Sequence, residues 1–394
     1  MASERLEPDH DWDLVRGQWS LRSGVSYLNH GSFGPSPRPV LAARQAWTER
    51  LESEPMDFLV RELDDRLAEA RQALGRFVGS AADDLLFVDN ATEGMNLVAA
   101  NLRLEPGDEV LANDHEYGAV LRTWERACRR SGARLVVGQI PVPLTDAGEV
   151  VEALFRSATD RTKLIVFSHV TSPTAIVMPA EAISLAARHR GIPVCIDGPH
   201  ALAMRPLDLA RLDCDYYTAS CHKWLCAPFG SGFLYVQPRR QATMEPLVVS
   251  WGRTPEGHAP SWRDEFTWSG TRDPAAFLAT AAAVEFLENI GLDAFRKRTH
   301  QLARRARELI TSLTGLEALV ADSPEWYGSM ISLPLPPGEA APLQQALWER
   351  YQIEVPIVEW NGRRLVRPSC HLYTQEGELE RLAAALRELG RGEG

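Results

Sequence analysis

Residues 192–236 read IPVCIDGPHALAMRPLDLARLDCDYYTASCHKWLCAPFGSGFLYV, and this stretch restricts the possible folds more than any other part of the chain. It holds three short apolar runs, at 194–196, 216–219 and 232–236, which read as buried parallel strands. The first gives way to Asp197, with His200 three residues on; the second gives way to Ser220, His222 and Lys223. Ligands of open parallel sheets sit at the carboxyl ends of the strands. An acid, a histidine and a lysine are therefore expected on one sheet edge. Further strands near 85, 110, 134 and 163 alternate with helical stretches and predict a seven-stranded α/β sheet.

Lys223 is unusual for its type. Only Lys163, Lys223 and Lys297 are lysines, against a total of 42 Lys and Arg. Basic positions are otherwise arginine, so Lys223 needs a reason of its own. Its neighbours Trp224, Leu225, Cys226 and Phe229 make an apolar setting that favours the neutral amine. A neutral amine forms a Schiff base (an aldimine), which arginine cannot. The sequence points to a lysine that holds pyridoxal 5′-phosphate (PLP). Asp197 then keeps the pyridine nitrogen protonated, His200 is in reach of the ring hydroxyl, and Ser220 and His222 donate to the phosphate. Upstream, Asp89-Asn-Ala-Thr-Glu-Gly94 opens a helix after a strand, with Thr92 as N-cap and the amides of Thr92, Glu93 and Gly94 as an anion cradle. Simple capping explains the same residues.

The Asp-Gly-x-His-Ala run followed by Ser-x-His-Lys resembles the class V aminotransferase family. Tyr27-Leu-Asn-His-Gly-Ser-Phe-Gly34, Asn90-Ala-Thr-Glu-Gly94 and Asp114-His-Glu-Tyr-Gly118 resemble its isopenicillin N epimerase-like branch. Pro199 departs from the family, which more often has alanine there, and bears on where His200 sits. The resemblance implies a fold-type I PLP-dependent transferase fold: an N-terminal segment 1–30 packing with the small domain, a large PLP-binding domain 31–274, and a smaller α+β C-terminal domain 275–394. It implies that Tyr117 stacks on the cofactor, with His115 beside it able to handle protons. Thr171 or Ser172 contacts the ring hydroxyl, Asn29 approaches the substrate, and Arg367 grips a substrate carboxylate. It also implies a homodimer in which Gly270 and Thr271 reach the neighbour's active site.

A formal net charge of −11 with no basic run argues against nucleic acid, and no stretch approaches a membrane span. The acidic start lacks an apolar signal region, so a cytoplasmic protein is expected. Six scattered cysteines fit buried thiols better than disulfides or a metal site, since no C-x-x-C pair is present. No cysteine precedes Arg367 on its loop, and Cys370, Cys221 and Cys226 read as packing residues, which argues against persulfide chemistry. The expected activity is Cα chemistry on an amino acid, epimerisation in the first place. A carbon–sulfur β-lyase or an aminotransferase is the alternative within the family. A PLP-fold binding or regulatory protein without turnover is the alternative of another class.

Overall fold

A computed structural model describes residues 11–391 except 253, 255, 256 and 258. The start of segment 1–30, part of the loop 249–274 and the last three residues of 275–394 lie outside the described residues. The strands of the main sheet are β1 (Leu85–Val88), β2 (Glu109–Asn113), β3 (Arg134–Gly138), β4 (Thr162–Ser168), β5 (Val194–Asp197), β6 (Tyr216–Ser220) and β7 (Gly232–Val236), in the order β1-β7-β6-β5-β4-β2-β3. Strands β5, β6 and β7 are buried along their whole length, as continuous apolar runs covered on both faces should be. One expectation fails here: β7 pairs antiparallel with both β6 and β1. The segment from β6 to β7 is too short for a crossover helix, so the chain turns back on itself and keeps Lys223 at the sheet's edge. Register sets Ser168 and Asp197 side by side at the ends of β4 and β5, with Thr218 in the middle of β6 beside Asp197.

The helix Ala91–Asn101 lies against β6 and β7. Its approach depends on Gly94, where an added Cβ would lie 2.1 Å from Thr218 Oγ1. Its N-cap is Asn90, which accepts from the Glu93 amide, and Thr92 sits inside the first turn instead. Asn90 is the more natural cap because it stands in extended backbone immediately before the first helical residue.

The helical run after 275 is three helices, Ala275–Leu278, Thr280–Ile290 and Leu292–Thr314, with a 79° bend between the last two at Gly291. Among the described residues no single helix is long and apolar enough to cross a membrane. The C-terminal part has a three-stranded antiparallel sheet of Leu333–Pro334, Ile357–Trp360 and Arg363–Val366. The apolar run 353–357 is two strands, Ile353–Glu354 and the start of Ile357–Trp360, parted at Val355-Pro356. The chain's start is tied to this part, for Ser26–Tyr27 pairs parallel with Ile353–Glu354.

Candidate active site

At the carboxyl edge of the sheet lies a cavity of about 490 Å³ walled by residues from seven separate regions. Asp197, Pro199 and His200 follow β5; Ser220, His222 and Lys223 follow β6; Asn90, Ala91 and Thr92 open a helix; Tyr117 and Ser172 come after β2 and β4. The loop Gly31-Ser32-Phe33 and Arg367 close the remaining side.

Asp197 is buried, and among the described residues its carboxylate accepts no hydrogen bond. Burial raises its pKa, while the charge of Lys223 pulls it down. Lys223 is lowered chiefly by burial; Asp197 raises it and Arg367 lowers it again. Its Nζ lies 3.3 Å from His200 Nε2, and the Trp224 indole N–H donates to His200 Nδ1 at 3.3 Å. Pro199 has therefore not drawn His200 away from the lysine. The backbone of Lys223 is held as well: its carbonyl accepts from the Cys226 amide and from His30 Nε2 at 3.0 Å. His30 Nδ1 accepts from the Tyr373 hydroxyl at 2.8 Å, which fixes the tautomer, and its ring stacks on His371 at 4.0 Å. Gly34 leaves room for this, since a Cβ there would lie 2.6 Å from His30 Nε2.

Ser220 Oγ accepts from the Ala91 amide at 3.0 Å and joins the lysine loop to the helix start. His222 is lowered to about 4 by burial first and the Lys223 charge second. Arg367 follows the strand Arg363–Val366 and is 5% exposed, and burial pulls it down to about 10. It donates through Nη1 to Ser172 Oγ (3.1 Å) and the Ser172 carbonyl, and through Nη2 to Ser32 Oγ (3.1 Å); its buried Nε has no partner.

Other expected residues lie elsewhere. Glu93 turns back to accept from the Asp89 amide at 2.6 Å, and Gly94 faces Thr218 rather than the cavity. Asn29 donates to Glu354 Oε1 at 3.1 Å behind the loop. Both ring nitrogens of His115 are engaged, by Thr174 and the Ile140 carbonyl, so it is no proton carrier for the cavity. Thr171 also pairs with Thr174, leaving Ser172 as the residue of that pair on the wall. Gly270 and the exposed Thr271 stand apart from this chain's own cavity.

Sequence reasoning missed Glu116, a buried carboxylate that accepts from Asn113 Nδ2, the Ser168 amide and Ser168 Oγ, each at 2.7 Å. It clamps the segment bearing Tyr117 to the strand beside Asp197. An acid between a histidine and a tyrosine at a strand end was the available signal. His30 and Trp224 were missed for a similar reason, since both act on Lys223 from behind the cavity.

The chain matches the class V aminotransferase family over residues 27–382 and belongs to it. It is 40% identical over 388 residues to an isopenicillin N epimerase of Streptomyces clavuligerus, covering 95% of this chain and 98% of that protein. It is 28% identical to a probable chloroplastic L-cysteine desulfhydrase of Arabidopsis thaliana, over 91% of this chain and 78% of that one. Among solved structures it resembles a C-DES variant with glycine covalently linked to its PLP cofactor, with a TM-score of 0.83 at 23% identity, covering 95% and 99% of the two chains. The fold is that of fold-type I PLP-dependent enzymes. The cavity fits such a cofactor: the buried Asp197 carboxylate, the half-buried Lys223 amine, the unpartnered Nε of buried Arg367 and a helix start converge on it.

Proposed function

We propose that this protein is a PLP-dependent epimerase of an amino acid or of a compound with a free α-amino acid moiety. The observation that carries the reading is the meeting of Lys223, Asp197, His200 and Arg367 in one cavity, in a chain 40% identical to an isopenicillin N epimerase. Lys223 is the residue that holds PLP, and Asp197 keeps the ring nitrogen protonated. Ser220, His222 and Thr92 receive the phosphate, and Tyr117 covers one ring face. Arg367 takes the substrate carboxylate as a bidentate pair, helped by its positioning on Ser172 and Ser32. Bound PLP supplies the electron sink for the charge left at Cα. With its amine free and neutral, Lys223 would be the base placed to remove the Cα proton, and a proton returned to the other face would invert the centre.

A second reading, β-elimination of a sulfur substituent, is favoured by the L-cysteine desulfhydrase relative. Persulfide transfer is disfavoured, because no cysteine lines the cavity and burial pushes the thiols of Cys221, Cys226 and Cys370 up. Six unpaired, buried cysteines support a reducing, cytoplasmic setting. The reading includes a homodimer, with Gly270 and Thr271 of each copy serving the other's phosphate site.

The test has two parts. Borohydride should fix PLP to the peptide carrying Lys223 and not to Lys163 or Lys297. A panel of L- and D-amino acids in heavy water, followed by chiral chromatography, should show Cα deuteration with inversion. Deuteration with thiol release and no inversion selects the lyase, and no deuteration with any substrate leaves a binding protein.

A further inference from the structure

We infer that Trp224 fixes which nitrogen of His200 carries its proton, so that His200 is held as a neutral Nε2–H donor aimed at a neutral Lys223 amine. An indole N–H donates and never accepts. Since it lies 3.3 Å from His200 Nδ1, that nitrogen must be the bare one, and the ring proton sits on Nε2. An imidazolium would set one N–H against another. The same reasoning passes one step further along the contact. His200 Nε2 lies 3.3 Å from Lys223 Nζ and brings a proton to it, so the amine meets it with its lone pair. An ammonium has three donors and no acceptor, and nothing to offer this contact. Trp224, His200 and Lys223 thus form a one-way hydrogen-bond chain whose polarity is set at the indole.

The indole and the imidazole are shielded from water, and Lys223 is half-buried. Trp224 is fully buried and His200 is 4% exposed. Burial first, with the Arg367 charge adding to it, drives His200 well below its ordinary value. The other groups facing Lys223 are Asp197 at the end of β5, His222 in its own loop, Arg367 from the C-terminal sheet, Tyr117 across the cavity and His30 behind its carbonyl. Among these Asp197 favours the charged amine and Arg367 opposes it. The hydrogen-bond chain tips that balance toward the neutral form, which is the form that attacks an aldehyde. Without the indole N–H the imidazole is free to take the other tautomer, accept from an ammonium, and reverse the bias. Trp224 is in this sense a positioning residue acting through His200. Its bearing on catalysis rests on the reading of Lys223 as the PLP lysine, but the tautomer itself does not.

The experiment uses the full chain stripped of cofactor. With ¹⁵N-histidine labelling, long-range proton–nitrogen correlations identify His200 by the signal lost in His200→Gln. A protonated Nε2 and a bare Nδ1 at neutral pH are expected; the opposite tautomer or an imidazolium overturns the inference. Separately, competitive acetylation read by mass spectrometry gives the pH at which Lys223 becomes half reactive. Trp224→Phe keeps most of the ring's bulk and should raise that pH by about one unit, the scale of one hydrogen bond. Lys163 and Lys297 in the same digests should not respond to the substitution. An unmoved Lys223 midpoint in a folded Trp224→Phe protein overturns the inference, and if that variant does not fold, the wild-type tautomer decides alone. A correct tautomer in a protein whose Lys223 takes no PLP under borohydride refutes the cofactor reading and leaves this one standing.

Discussion

Glu116 accepts three hydrogen bonds, yet it is pushed up from 4.5 to about 7, because the loss of water outweighs the donors and nearby Asp197 adds to it. The sign matters for stability. A carboxyl raised in the folded state binds its proton more tightly there than in the unfolded chain, so its contribution is present below pH 4.5 and lost as pH rises through about 7. Glutamine does not titrate. The stability advantage of the wild type over Glu116→Gln should therefore be largest near the acid end and narrow toward neutrality, by at most about 3 kcal/mol, in thermal melts of the cofactor-free chain. A difference that is flat with pH would show that Glu116 is already ionised. For Asp197→Asn, PLP should still bind while turnover falls by about a hundredfold or more, because an amide does not hold the ring nitrogen's proton. Normal turnover would remove Asp197 from the mechanism. Four residues of the cavity wall were legible from the sequence: Lys223 by its scarcity, Asp197 and His200 by their strand ends, Arg367 by its family match. Glu116, Trp224 and His30 were not, since their importance lies in a partner distant in sequence, such as Ser168 or Lys223, and no local pattern reveals it.

The helix Ala91–Asn101 shows how an element is aimed at a ligand. Asn90 caps it, Ser220 holds its first amide, and Gly94 lets it settle on β6. Gly94→Ala should lower stability by about 1–3 kcal/mol, since Thr218 is itself hydrogen-bonded to the Phe233 carbonyl at 3.0 Å and has little freedom to yield. Because the helix start would move with the helix, PLP retention on gel filtration should fall as well. Full stability with full retention would mean that the helix slides without cost. Sequence periodicity found this helix and the strands around it, and it found all seven strands of the main sheet. It missed the direction of β7, because a fully buried run looks the same whichever way it points. The cap was misassigned by two positions for a simpler reason: asparagine and threonine both cap well, and only backbone geometry chooses between them.

At the scale of the whole molecule, Gly270 and Thr271 are not on this chain's cavity, while Val249 and Trp251 are 81% and 84% exposed in the segment leading to them. This is what a subunit that completes its neighbour would present. Thr271→Ala should weaken PLP retention without changing sedimentation, and dilution to monomer should release the cofactor; a fully active monomer by light scattering would refute the shared site. The expectation of a dimer came only from family resemblance, because a single sequence carries no mark of which surface meets a second copy. The joining of the chain's two ends has a consequence for how the molecule is made. Ser26–Tyr27 pairs with Ile353–Glu354, the Ser369 amide donates to the Leu28 carbonyl, and His30 meets Tyr373 across 343 residues of sequence. Contacts so distant in sequence are closed last, since loop entropy must be met before they form. On the ribosome the central sheet, with Lys223 already at its edge, has left the exit tunnel long before Arg367 exists. The nascent chain therefore passes through a stage in which the lysine is present and the gripping arginine is not. The loop that steadies the Lys223 carbonyl gains its own support, His30 on Tyr373 and His371, only when those later residues arrive.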